Sequence, residues 1–260
     1  MVAIAVLGLG EAGERIAGDL VDLGVEVRGY DPMVVAPPDG VTRTSTLVEA
    51  VTSVDLVLAL VPASAVVAVA ADAASALAPG TIYADCAASG AAAKRAAARL
   101  VEEAGAEFVD VAILGVVPAT GLRTPALLSG PGAARLAPIL AGLGVPVEVV
   151  SDRPGDAAER KLLRSVFMKG LAAVVGEALE AGRRLGFEDW LLGQIEDELE
   201  RADGSLVSRF EQGTRRHAPR RVVEMAAAVE LLEEHDLPAD VTRAALARLA
   251  RLADSGPDER

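Results

Sequence analysis

Two groups of residues in this 260-residue chain could do chemistry: an early glycine turn, Gly8-Leu9-Gly10-Glu11-Ala12-Gly13, and a lysine far beyond it, Lys161. The turn fits the spacing G-x-G-x-x-G, which brings bare backbone amides against an anion. In that spacing Gly8 permits the sharp reversal, Gly10 leaves the amides unshielded, and Gly13 lets the following helix pack closely on the strand before it. Lys161 is one of only three lysines, with Lys94 and Lys169, against 22 arginines. A guanidinium keeps its proton at any working pH, whereas a partly desolvated ammonium can be tuned until it exchanges one. Ser165, Met168 and Lys169 follow at helical spacing and would share its face. Two lysines so spaced also suit an ordinary solvated surface.

Both groups need elements to place them. Residues 2–7 are an apolar run that reads as a buried strand entering the turn, and a helix opening at about Gly10 would continue through residues 14–20. Its free N–H groups and the positive end of its dipole would face a phosphate. A second strand over residues 25–30 ends in Asp31, at the distance where an acid meets ribose hydroxyls. Strand, turn, helix and downstream acid together are far more specific than the glycine spacing alone. They predict a dinucleotide held by Gly8, Leu9, Gly10, Glu11, Ala12, Gly13 and Asp31. A carboxylate there repels a 2′-phosphate, and Pro32-Met33-Val34-Val35 offers no arginine to hold one, so NAD is expected ahead of NADP. Arg28 and Arg43 are the residues that could reverse that preference.

Strand and helix alternate up to about residue 150. After a loop at residues 32–46 come a short helix (47–51), strands at 55–61, 81–84 and 107–111 with helices at 64–77 and 91–104 between them, and a helix at 133–143 flanked by strands at 125–130 and 145–150. Repeated βαβ units predict a Rossmann-type α/β domain over residues 1–150, a doubly wound parallel sheet covered by helices on both faces. At residues 151–156 the pattern changes, and residues 151–260 read as an all-helical domain with helices at 157–185, 188–201, about 205–212, 220–235 and 241–252. That domain, small and rich in Ala and Leu, invites burial against a second copy as a homodimer. Lys161 falls near the start of its first helix, where a cleft beside the dinucleotide domain would place substrate.

Composition removes several classes of function. A formal charge of −13 disfavours nucleic acid and anionic membranes as partners. One cysteine, Cys86, and two histidines, His217 and His235, cannot build a disulfide framework or a Cys/His zinc site, and no metal is expected. Residues 54–77 come nearest to a membrane span, but Asp55, Pro62 and Asp72 interrupt them. The N-terminal run lacks a basic flank and a cleavage site, which points to a cytoplasmic protein. With 52% hydrophobic but only 3% aromatic residues, the core must be built from Ala, Val and Leu.

The chain resembles the β-hydroxyacid dehydrogenase superfamily, relatives of 3-hydroxyisobutyrate and 6-phosphogluconate dehydrogenases. The resemblance rests on Gly8 to Gly13, Tyr30-Asp31, Leu60-Val61-Pro62, Asp85, the run Val109-Asp110-Val111-Ala112-Ile113-Leu114-Gly115, and Gly155 with Lys161 six residues on. Toward the C-terminus, residues 161–170 and 216–225 resemble a phosphogluconate-dehydrogenase-like branch whose activity is largely unassigned. The resemblance implies that Leu60, Val61 and Pro62 line the cofactor and that Lys161 is the general acid/base of hydride transfer to or from a hydroxy acid or related alcohol. It also implies substrate contacts at Ala88, Gly115 and Ser165. Those positions depart from the family pattern. Ala87-Ala88 replaces a polar pair, Leu114-Gly115-Val116 replaces Ser-Gly-Gly, and Ser165 replaces an asparagine, so much of the polar cradle for a substrate carboxylate is gone. Arg164, Arg216, His217 or Arg220 could supply anion contacts instead, although Glu211 and Glu224 also suit a solvated basic face. An imine reductase of the same architecture, or a dinucleotide-binding protein without turnover, are the alternatives these departures keep open.

Overall fold

The computed structural model of the protein describes residues 2–34 and 36–255. Val35, in the stretch after Asp31 that offers no arginine, lies outside the described residues. The chain divides into two compact units after Arg164, inside a helix.

The first unit runs β1 (Ala3–Leu7), α1 (Glu11–Asp22), β2 (Glu26–Tyr30), β3 (Thr42–Arg43), α2 (Leu47–Val51), β4 (Leu56–Ala59), α3 (Val66–Ala74), β5 (Ile82–Asp85), α4 (Ala91–Glu103), β6 (Glu107–Ile113), α5 (Val117–Thr120), β7 (Ala126–Ser129), α6 (Ala133–Gly142) and β8 (Val147–Ser151). Its strands form one eight-stranded sheet in the order β3-β2-β1-β4-β5-β6-β7-β8. The order reverses between β1 and β4, so both neighbours leave the same edge of the sheet beside each other, the place where open α/β sheets bind ligands. This is the expected Rossmann-type α/β domain.

Two details differ from the sequence reading. A two-residue strand, β3, sits in the stretch expected to be loop and pairs with β2 through Arg28–Thr42 and Gly29–Arg43. More consequentially, β7 runs antiparallel to β6, and β8 parallel to β7, so the last two strands oppose the rest. A parallel return would need a helix about as long as the strand, yet the connection from β6 contains only the four-residue α5 and a three-residue 3-10 turn. Four helical residues rise about 6 Å, against roughly 23 Å for a seven-residue strand. The chain therefore turns back from the edge it has just reached.

The period of two along β1 splits the core. Ile4 and Val6 face Ile16, Ala17 and Leu20 of α1 and Leu136 and Leu140 of α6, while Ala5 and Leu7 face the other layer, with Ala70 and Ala73 of α3 and Ala97, Ala98 and Val101 of α4. Alanines let α3 and α4 approach the sheet closely. The bulk that alanine lacks is supplied on that face by Tyr83 and Phe108, fully buried with ring centroids 6.2 Å apart.

The helix that crosses the division is α7 (Asp156–Leu185), followed by α8 (Glu188–Glu200), α9 (Gly204–Arg216), α10 (Ala218–Glu234) and α11 (Asp240–Asp254). In the second unit Leu232, Leu237 and Ala239 form a small core against Ala181 and Leu185 of α7. Glu177, also on α7, caps α11 by accepting from the amides of Val241 and Thr242 at 2.8 Å each and from the Thr242 hydroxyl at 2.6 Å. No helix among the described residues is long and apolar enough to cross a membrane.

Burial pushes the Glu177 carboxyl up, but the Thr242 hydroxyl and the Val241 and Thr242 amides outweigh burial and hold it below the usual glutamate range. A carboxyl depressed on folding stabilises above its unfolded pKa of about 4.3 and stops doing so as pH falls through the depressed value. The stability gap between the wild type and Glu177→Gln, followed by urea unfolding from pH 7 to pH 3, is therefore expected to be full at neutral pH and to close at the acid end. A gap unchanged over that range would show that the charge contributes nothing.

Candidate dinucleotide and proton-transfer site

The glycine turn stands where β1 ends. Gly8 has φ +92°, a conformation open to glycine, and a Cβ there would overlap the Leu60 carbonyl at the end of β4. A Cβ on Gly13 would overlap the carbonyl of Gly8 itself. These two glycines are required by the protein's own packing. Gly10 is not: it has an ordinary φ of −67°, caps α1, and a Cβ there would meet nothing within 4 Å. The open space in front of Gly10, at the N-terminus of a twelve-residue helix, is what a pyrophosphate requires. Helix α1 itself begins at Glu11, one residue later than expected. Glu11 is exposed and Ala12 half-buried at its first turn.

Asp31, the acid expected to meet ribose hydroxyls, follows β2 and has a structural task. One carboxylate oxygen accepts from the Leu9 amide inside the turn at 2.8 Å, and the other from the Met33 amide at 2.7 Å. Each oxygen keeps a lone pair for a further donor. Arg28 is committed elsewhere, donating to the Thr52 carbonyl at 2.8 Å, and Arg43 is exposed on the edge strand β3. Leu60, Val61 and Pro62 leave β4 directly against the turn, with the Leu60 amide bonded to the Leu7 carbonyl at 2.7 Å.

The next strand, β5, ends in Asp85, and its exit loop carries Cys86, Ala87 and Ala88. Cys86 lines an apolar cavity of about 40 Å³ with Leu60, Ile113 and Leu122. Burial pushes its thiol up to about 12, opposed in part by the charges of Lys94 and Lys161. Ala88 is exposed, as is Gly115 after β6, where a Cβ would come within 2.8 Å of the Thr124 methyl. Ser165, one turn beyond Lys161 on α7, is half-buried and is the first residue of the second unit. Arg164, Arg216, His217 and Arg220 are all exposed.

Behind this edge lies a buried ionic cluster that no sequence motif marks. Lys94, in the alanine-rich α4, is 1% exposed; its Nζ donates to the Asp85 carbonyl at 2.8 Å and lies 3.4 Å from the Asp85 carboxylate and 3.1 Å from that of Asp110. Asp85 also accepts from the Ala87 amide at 2.9 Å, which shapes the exit loop. Burial raises the Asp85 carboxyl despite the lysine beside it. Asp110 accepts from the Ala158 amide at 2.9 Å and from the Ser129 hydroxyl at 3.3 Å, and Ser129 Oγ accepts from the Ala157 amide at 3.0 Å. The available signal was an acid ending one apolar run, Asp85, and an acid inside the next, Asp110, on strands that a parallel sheet sets side by side; they pair directly in the β5–β6 register.

A mostly parallel sheet with this glycine turn at its switch point defines a dinucleotide-binding protein of Rossmann type. Residues 3–148 match the family model described as the NAD binding domain of 6-phosphogluconate dehydrogenase, and the chain belongs to that family. Residues 183–252 match a domain of unknown function designated DUF1932. Among curated proteins, a 28.5 kDa protein from the 7S RNA 5′ region of Methanothermus fervidus is 32% identical over 131 residues, a match spanning 50% of this chain and 51% of that relative. A solved structure of the conserved protein MTH1747, described as of unknown function and structurally similar to 3-hydroxyacid dehydrogenases, is 28% identical over 98% of each chain with a TM-score of 0.63. The imine reductase of Streptomyces aurantiacus shares the fold at a TM-score of 0.81, with 22% identity over 98% of this chain and 95% of that one.

The glycine geometry gives a direct expectation. Gly10→Ala should leave urea unfolding of the protein within about 1 kcal/mol of wild type, the scale of a helix-cap change, while calorimetric titration shows NADH binding weakened by at least about tenfold. Unchanged NADH affinity would mean that the pyrophosphate does not lie against Gly10.

Proposed function

We propose that the protein is a nicotinamide-dependent oxidoreductase acting on a carbon that bears oxygen, a hydroxy acid or related alcohol in one direction and the carbonyl in the other, with Lys161 as general acid/base. The observation that carries the reading is Lys161 itself. It stands in the second turn of a helix whose first turn is tied to Asp110 and Ser129 on the sheet. Gly8 to Gly13 would hold the pyrophosphate, Asp31 the ribose hydroxyls, and Leu60 to Pro62 the stretch between them. When bound, the nicotinamide accepts or supplies the hydride. In oxidation the neutral Lys161 Nζ takes the hydroxyl proton; in reduction its ammonium gives that proton back to oxygen. A positioned group of this kind contributes roughly 10²- to 10⁴-fold. Asp31 repels a 2′-phosphate and Arg28 is bonded elsewhere, so NAD is proposed as the cofactor ahead of NADP.

We read Ala88 and Gly115 of the first unit as substrate contacts, and they make a sparse polar set. The Ala87 amide is already given to Asp85, and Val116 beside Gly115 is 68% exposed. This apolar lining favours one second reading, reduction of a C=N bond without Lys161 as the proton donor, and the shared fold with the Streptomyces aurantiacus imine reductase is consistent with it. For the helical unit we propose homodimerisation. Phe167, Trp190 and Phe210 are 64%, 66% and 56% exposed in the single chain, and α8 and α9 bury no residue.

A turnover screen with NADH and NADPH over hydroxy acids, keto acids, aldehydes and cyclic imines, run beside Lys161→Ala, tests the catalytic reading. Activity on hydroxy or keto compounds, lost by at least about a hundredfold in the variant with NADH binding intact, is expected. Imine reduction indifferent to that substitution would favour the second reading, and tight binding with no turnover would favour a non-catalytic binder. Sedimentation equilibrium should give a dimer; a monomer at micromolar concentration would contradict the proposed interface.

A further inference from the structure

Helix α7 begins after Gly155, which has no side chain with which to cap it. Gly155 has φ +99°, and a Cβ there would stand 2.8 Å from the Ala91 Cβ, so the helix start is pressed against the first residue of α4. The first-turn amides of a helix need acceptors. In most helices a local Ser, Thr, Asp or Asn supplies one. Here they come from the sheet instead: the Ala157 amide donates to Ser129 Oγ at 3.0 Å on β7, and the Ala158 amide to Asp110 Oδ2 at 2.9 Å on β6. Both acceptors are fully buried, and Lys94 of α4 holds the other Asp110 oxygen at 3.1 Å.

A local cap moves with its helix, but a cap built from the sheet fixes the helix's rotation and its height. Lys161 lies three and four residues after Ala158 and Ala157, so it shares their face. Whatever sets those two amides sets the direction of the lysine. The same cluster reaches the Cys86–Ala88 loop, because Lys94 also donates to the Asp85 carbonyl and Asp85 accepts from Ala87. We infer that Ser129 and Asp110, with Lys94 behind them, are positioning residues that cap α7 from the sheet and aim Lys161 relative to the β5 exit loop. The antiparallel run of β7 is what makes this work. It brings Ser129 directly opposite Asp110, the pair that shares the helix start. It follows that the first-turn amides of α7 are spent on protein acceptors and do not bind a substrate anion.

This inference rests on the proposed role of Lys161, but its test has a readout that needs no turnover. Full-length wild type, Ser129→Ala and Asp110→Ala are labelled with trace acetic anhydride at one pH, and acetylation of Lys161 is read by mass spectrometry against Lys169, eight residues along the same helix and exposed. The Lys161-to-Lys169 ratio is expected to change by about fivefold or more in each variant, the scale of one lost hydrogen bond, with NADH affinity within about threefold of wild type. Where the turnover screen yields a substrate, kcat should fall by at least about tenfold with KM for NADH little changed, as misplacement of a reacting group predicts. A ratio and kcat equal to wild type in folded Ser129→Ala would overturn the inference even if Lys161→Ala is inactive, leaving the functional reading intact. Loss of Lys161 without effect on turnover would instead remove that reading, while the labelling ratio still decides the cap. If Asp110→Ala does not fold, Ser129→Ala, which removes no charge, decides alone.

Discussion

The site depends on a contact that side chains would forbid. The backbone at Gly8 touches the Leu60 carbonyl, and Gly13 touches Gly8, so the turn after β1, the exit of β4 and the start of α1 occupy almost the same space. Only glycine allows that approach at these two positions. The approach places α1 so that its unpaired amides open at the switch point of the sheet, beside bare Gly10. Asp31 then ties the turn to β2 through the Leu9 amide. An anion-binding cradle at this edge follows from backbone contacts alone, before any charged side chain is considered.

Around that cradle the protein uses charge sparingly and deep. An ammonium and two carboxylates buried together are costly to desolvate, and such a cluster is weak evidence for stability in itself. Its value here lies in what it touches: the β5 exit loop through Asp85 and the first turn of α7 through Asp110 and Ser129. The half-buried Lys161 at the start of α7 and the buried Lys94 of α4 differ in their surroundings. Lys94 holds framework, and Lys161 is placed by that framework.

The sequence made the first half of this site legible and left the second half dark, for physical reasons. Glycine spacing, an apolar strand before it and an acid at the end of the next strand are local features, and each stands where it was read. Lys161 stands out in the sequence because lysine is rare in the chain and this one falls early in a long helix. Lys94, flanked by alanines and Arg95, fits a solvated helix face equally well; its burial is decided by Asp85 and Asp110 on strands it meets only in the folded sheet. The direction of β7 was hidden for a related reason. An apolar run has the same pattern read either way, and only the short connection after β6 forces the chain to turn back. Capping of α7 by Ser129 depends on that reversal, so it could not have been read from residues near Gly155.

A crystal structure of the protein with NADH bound would show this site most directly. The pyrophosphate is expected on the amides of the Gly8–Gly13 turn, a ribose on Asp31, and Lys161 Nζ on the same side of the sheet as the nicotinamide. A dinucleotide bound away from that turn, or Lys161 directed away from the nicotinamide in the complex, would contradict this placement.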